Sequence, residues 1–142
     1  MKIIILVSVL FLFVSAPGAV TGQDAVSEIL EMLDYQVKSW NSGNIAGYMS
    51  GYWKSDSLSF HSGKKMLMGW STVRSMYDDK YFDDQRGELK FSGLRVELLS
   101  GDSAFVRGNW HVALEDGDRE GLFTLMIRRK IGGWKIVHDH SS

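Results

Sequence analysis

Cysteine is absent from this chain of 142 residues. Disulfides, thiolate metal sites and thiol nucleophiles are therefore excluded, as is lipid attachment through a cysteine. Proline occurs once, at Pro17. An excess of one charge is also missing: 16 Lys and Arg face 17 Asp and Glu, for a net charge of −1. Nucleic acid as main partner would want a basic patch, and the only basic cluster, Arg128-Arg129-Lys130, reads as a solvated strand end. There is no Gly-rich phosphate loop, no Ser nucleophile motif and no zinc spacing of the H-x-x-x-H kind. Asp78-Asp79 and Asp83-Asp84 lack the alternating ligands, central Gly and closing Glu of a calcium loop, and read as solvated charges.

A long hydrophobic run is lacking too. Ile3 to Val14 is apolar apart from Ser8, too short for a comfortable membrane span. Met1-Lys2 before it, and the small, polar Ser15 to Gly22 after it with Pro17 as breaker, give the layout of a secretory signal peptide. Cleavage is expected after Gly22, with Ala19 as runner-up. That makes 1–22 a signal and 23–142 a single domain, exported to the periplasm or beyond, with no stable membrane span after cleavage. The remaining residues, about 120 with a good apolar fraction, can bury a core without covalent staples.

Gln23 to Ser42 carries Val26, Ile29, Leu30, Leu33, Val37 and Trp40 at the spacings of one helical face, with Asp24 as N-cap and Gly43 as the stop. Asn44 caps a short second helix, Ile45 to Tyr52, weakened by Gly47 and Gly51. Two short strands follow, Leu58 to His61 and Lys65 to Met68, then a third helix from Ser71 to about Phe82. Four long strands complete the chain: Glu88 to Leu99, Ser103 to Leu114, Glu120 to Lys130, and a last strand from Gly132 onward. Asp116-Gly117 is a hairpin signal. Helices first and long antiparallel strands afterwards predict an α+β fold, a curved sheet with helices on one face.

Strict alternation along the last strand puts Trp134, Ile136, His138 and His140 on one face and Asp139 on the other. Two imidazoles on an apolar face either line a cavity or are satisfied core histidines. On the preceding strands, Gly108 and Gly121 leave space where a larger side chain would fill it. Arg107 and His111 point away. Apolar residues on the opposite faces, Phe105, Leu122, Met126 and Val137, suggest that the outer surface is covered by a second copy of the chain.

The ordered set Trp40-Asn41-Ser42-Gly43-Asn44, Tyr52-Trp53, Phe60-His61-Ser62-Gly63, Gly69-Trp70, Ala104 to Trp110, Gly121 to Leu125 and Trp134 to Ser142 resembles the nuclear transport factor 2-like superfamily, in its SnoaL-like branch of small bacterial proteins of unknown function. The resemblance spans residues 25–142 in collinear order. It implies a cone-shaped fold, a curved antiparallel sheet wrapped around three N-terminal helices, with a pocket between them and dimerisation through the sheet. Members include ketosteroid isomerases, polyketide cyclases, dehydratases and bare binding domains, so the fold does not settle function. The isomerase apparatus does not carry over: its helix-borne tyrosine falls at Gln36 and its aspartate base at Phe60.

The site expected from the sequence has Tyr52, Trp53, His61, Trp110, Phe123, His138 and His140 around a small apolar molecule, with the His pair at its polar end. His138 and His140 are the candidate catalytic residues. No metal or cofactor is expected, because His61 is the only credible third ligand and no fourth is in view. The expected function is an exported small-ligand-binding domain, acting as a homodimer. The alternatives are a cyclase-, isomerase- or dehydratase-type enzyme with a His base, and a non-catalytic interaction domain.

Overall fold

The structure is a computed structural model that describes residues 21–80 and 86–142. Most of the signal segment, the last residues expected in the third helix and Asp83-Asp84 lie outside the described residues. Helix α1 spans Gly22–Asn41, α2 Ile45–Met49 and α3 Trp70–Lys80. The strands are β1 Ser59–Ser62, β2 Lys65–Met68, β3 Glu88–Leu98, β4 Ser103–Ala113, β5 Arg119–Lys130 and β6 Gly133–Ser141. They form one six-stranded, open sheet in the order β2-β1-β6-β5-β4-β3.

Helix α1 starts at Gly22, one residue before the expected Gln23, but its cap lies three residues before the expected one. Thr21, not Asp24, is the N-cap, and Asp24 at the third helical position returns its carboxylate to the Thr21 N–H at 2.9 Å, closing a capping box. The thread of hydrogen bonds from Thr21 also holds the Asp24 carboxyl below its ordinary range. The buried stripe is Ala25, Ile29, Leu33, Gln36 and Trp40, while Leu30 is exposed. Gln36 is buried because its Nε2 donates to the carbonyl of Tyr48 at 2.9 Å, which ties α1 to α2. Gly51 is required by that contact: a Cβ there would stand 2.6 Å from the Gln36 side chain.

The inner face of the sheet is built by alternation. Ala104 and Val106 on β4, Phe123, Leu125 and Ile127 on β5, Trp134 and Ile136 on β6 and Phe60 on β1 are all buried against the helices. Hairpins connect β3 to β4, β4 to β5 and β5 to β6, as the turn signals predict. The sheet is not wholly antiparallel, because β1 lies parallel to β6, with Phe60 beside Asp139 and His61 beside His140. The short β1–β2 hairpin thereby extends the meander beyond its last strand. Glu28 of α1 pins the same strand from the helical side: its Oε2 accepts from Trp134 Nε1 at 2.9 Å and from Arg129 at 2.8 Å.

Candidate functional site

Strict alternation fails in β6 at one residue. Ile127 pairs with Ile136, but its neighbour Met126 pairs with His138, so Val137 is an extra residue opposite no partner. Such a bulge shifts every later side chain to the other face. Trp134 and Ile136 point inward, as expected. Beyond Val137 the faces are exchanged: Asp139 is 5% exposed and turned inward, whereas His138 is half-buried and His140 exposed on the outer face. The expectation that the two imidazoles line the interior, and that Asp139 does not, is thus reversed.

Asp139 is the one carboxylate buried among the described residues. Tyr52 donates its hydroxyl to Oδ2 at 2.7 Å, and Ser141 donates to Oδ1 at 2.9 Å, so both carboxylate oxygens are engaged. Burial pushes the Asp139 carboxyl up to about 6, against the lowering pull of these two hydrogen bonds and of His140. Tyr52 is held in place by its backbone surroundings, since Ile136 N–H donates to Gly51 O and Trp53 N–H donates to Ile136 O, each at 2.9 Å. Its phenol is pushed well above the ordinary tyrosine range, first by burial and then by the Asp139 charge. It therefore remains a donor.

Behind Tyr52 lies a cluster of aromatic rings. The Tyr48 hydroxyl stands 3.4 Å from those of both Tyr52 and Tyr77. Trp40 packs edge-on to Tyr48 at 5.2 Å, and Phe60 to Tyr77 at 6.0 Å. These rings occupy the space between sheet and helices. Two clefts among the described residues lie elsewhere. One of about 320 Å³ is bounded by Ala25, Leu98 and Arg129, and another of about 320 Å³ by Asn44, Arg74 and Arg86. Neither reaches Asp139. The room expected at Gly108 and Gly121 is also taken: a Cβ on Gly108 would stand 2.9 Å from Phe123, and one on Gly121 only 1.7 Å from the Ser142 carbonyl oxygen.

The seven residues expected at the site divide between the two faces. Tyr52 and Phe123 are buried on the inner side, and Trp110 stands on that side across from Gly121. The Trp110 indole nitrogen is buried without a hydrogen-bond partner among the described residues. Trp53 is half-buried with the Lys130 ammonium 4.1 Å from its ring centre. His61, His138 and His140 gather on the outer face, with His61 ring centres 5.0 Å from His138 and 5.9 Å from His140. Ser59 Oγ lies 2.6 Å from His138 Nδ1. Burial, then the neighbouring His61 and His140, push His138 below its ordinary pKa. The fourth histidine, His111, is bonded to Asp118 at 2.9 Å. Among the described residues no three His, Asp or Glu groups stand ready-made as a metal site.

Residues 29–142 match the family model of the SnoaL-like domain. The chain belongs to the SnoaL-like family. Its fold is that of the nuclear transport factor 2-like proteins. A protein of unknown function from Shewanella oneidensis MR-1 with that likeness is 34% identical, with a TM-score of 0.79 over 82% of this chain and 98% of that one. A second, from Pseudomonas putida KT2440, is 20% identical with a TM-score of 0.72 over 85% and 87% of the two chains, and shares the fold. So does a putative aromatic ring hydroxylase from Novosphingobium aromaticivorans, 14% identical with a TM-score of 0.72 over 86% and 90%. No curated protein matches. In this SnoaL-like domain a phenol and a carboxylate, Tyr52 and Asp139, are paired under the sheet, at positions other than those where the isomerase residues would fall. Gln36 and Phe60, where those residues would fall, are buried in structural roles.

Sequence reasoning missed Asp139 because a one-residue bulge has no composition of its own in Ile136-Val137-His138. A signal was nevertheless present. Tyr48, Tyr52 and Tyr77 all fall on apolar helix faces, and a buried hydroxyl needs a partner. The question of where three phenols find an acceptor leads to Asp139.

Proposed function

We propose that this SnoaL-like domain binds a small, largely apolar molecule between sheet and helices, with the Asp139–Tyr52 pair receiving its polar end. The observation that carries the reading is the buried carboxylate bonded to a buried phenol at 2.7 Å. Burying a carboxylate costs free energy even when both its oxygens are hydrogen-bonded, as the raised pKa of Asp139 reflects, and an apolar side chain would fill a packed core without that cost; a polar ligand is a reason for the carboxylate to be there. The polar end of the site is then Asp139 and Tyr52 rather than the two imidazoles, and Trp110 with its unpartnered indole N–H and Phe123 are the aromatic walls. For a ligand to reach Asp139, the Tyr48 and Tyr77 rings must give way.

A second reading, a proton-transferring enzyme of the isomerase, cyclase or dehydratase kind, is favoured by the Asp139 pKa of about 6. A carboxylate poised there accepts a proton near neutral pH and returns it, and Tyr52, still protonated, donates to the oxyanion that forms. Export rests on the layout of residues 1–22. A homodimer through the sheet rests on the exposed Leu122, Met66 and Met68 of its outer face.

The test is a screen of small hydroxylated polycyclic compounds by protein-observed NMR, with Asp139→Asn and Tyr52→Phe as controls. Binding that shifts Tyr52 and Asp139 signals and weakens at least tenfold in either variant supports the reading. Binding unaffected by both substitutions, or no binding across the screen, refutes it.

A further inference from the structure

The exchange of faces at Val137 leaves three of the four histidines together on the outer side of the sheet. The register fixes this arrangement. His138 and His140 are two residues apart on β6, and His61 is the direct neighbour of His140 on the parallel strand β1. All three side chains leave the sheet on one side, because Phe60 and Asp139, between them in register, are buried on the other. Two imidazoles bound to one transition-metal ion at about 2.0–2.1 Å have ring centres roughly 5 to 5.5 Å apart. The ring centres here are 5.0 and 5.9 Å apart. Among the described residues no three such groups form a metal site as they stand, so convergence on one ion asks His138 and His140 to turn their rings toward His61.

Three methionines neighbour the imidazoles in register. Met66 stands opposite His61 across β1–β2, Met68 opposite Ser59, and Met126 opposite His138 across β5–β6. Sulfur beside imidazole is the donor set that favours copper over harder ions. Ser59 adds the supporting contact that metal-bound histidines usually have. With Nδ1 of His138 engaged by Ser59 Oγ, Nε2 is the nitrogen left for a metal.

We propose that His61, His138 and His140 bind one copper ion on the outer face of the sheet, with Met66 or Met126 as a thioether ligand. The site is independent of the interior pair. It uses the opposite face of the same strand, and its test does not involve a small organic ligand.

The purified protein is titrated with Cu(I) under anaerobic conditions against a chromophoric chelator, and in parallel with Zn(II). The expected result is one Cu(I) per chain. His140→Ala and His61→Ala, both at positions not fully buried, should lower copper affinity by more than the roughly 10- to 100-fold expected for removing the supporting hydroxyl in Ser59→Ala. His111→Ala, whose ring is held by Asp118, should leave it unchanged. X-ray absorption of the copper-loaded protein should show a sulfur neighbour that is lost in the Met66→Leu, Met126→Leu double variant. Far-UV circular dichroism checks that each variant is folded. Copper affinity equal in the wild type and in a folded His61→Ala, His140→Ala variant overturns the site. Zinc bound more tightly than Cu(I), with no sulfur neighbour to the copper, overturns its assignment to copper.

Discussion

Replacing Asp139 by Asn should make this protein more stable at pH 8 and leave it little changed near pH 4. The carboxyl is 5% exposed and its pKa is raised from 3.8 to about 6. A folded-state value above the unfolded one means that the folded chain holds this proton more tightly. The group's favourable contribution is then fully present below pH 3.8 and is lost as pH rises through about 6. At about 1.4 kcal/mol per pKa unit, ionised Asp139 costs about 3 kcal/mol of stability at pH 8. Asparagine keeps the shape, its Oδ1 can accept from Tyr52, and its Nδ2 can donate to Ser141 Oγ. Any cost of the amide itself is the same at both pH values, and all other titrating groups are common to the two proteins. Urea unfolding of wild type and Asp139→Asn, with a chelator present to keep metals off the neighbouring imidazoles, measures the difference. About 0.5 kcal/mol of that cost is already present at pH 4, so with an m-value of about 2 kcal/mol/M the variant's midpoint relative to wild type should move up by about 1.2 M between pH 4 and pH 8. A midpoint difference that does not change with pH would refute the reasoning: Asp139 would then not be titrating from a buried site.

Tyr52→Phe removes the donor at 2.7 Å and should destabilise the protein by about 1.5–3 kcal/mol at pH 8, and by less near pH 4, where the bond is to a neutral acid. The same urea titrations check it. Gly87 has φ +73, and a Cβ there would stand 2.4 Å from the Ala113 carbonyl oxygen; Gly87→Ala should cost about 1–3 kcal/mol or more, read as a lower midpoint at any pH. The capping box of Thr21 and Asp24 survives cleavage after Ala19 but not after Gly22. If the signal is cut after Gly22, as expected, the mature chain loses the cap and its first helical turn should exchange amide protons faster than in a chain beginning at Val20; equal exchange in the two would contradict a role for the box.

The fold was legible because its signals are local. The turn residues Ser100-Gly101-Asp102, Asp116-Gly117 and Gly132-Gly133 separate four strands whose ends fall within a residue or two of expectation. The helical stripe of α1 came out one step rotated, since Gln36 and Ser39 are buried by partners on α2 that polarity alone does not reveal. Two features of the site depend on contacts distant in sequence. The parallel pairing of β1 with β6 is invisible to a pattern of alternation. The bulge at Val137 is set by the pairing of β5 with β6, and it decides whether Asp139 or its two imidazole neighbours face the core. Tyr52, Trp110 and Phe123 lie on the inner side because the patterns of their own elements are not interrupted at those positions, whereas His138 and His140 follow the bulge and lie on the outer face.

The order of the strands has a consequence for how the chain reaches this structure. β6, which follows the other strands in sequence, lies in the middle of the sheet, between β5 and β1. Ser59 and His138, which touch across that seam, are 79 residues apart in sequence. Closing so long a loop is entropically unfavourable until the contacts it brings are made, and topologies of this kind fold slowly. Until β6 is in place, the β1–β2 hairpin has no sheet to join, Tyr52 has no acceptor, and the inner surface of β5 lies open along one edge. The elements that precede β6 therefore cannot complete the fold by themselves, and the central seam is the step that closes it.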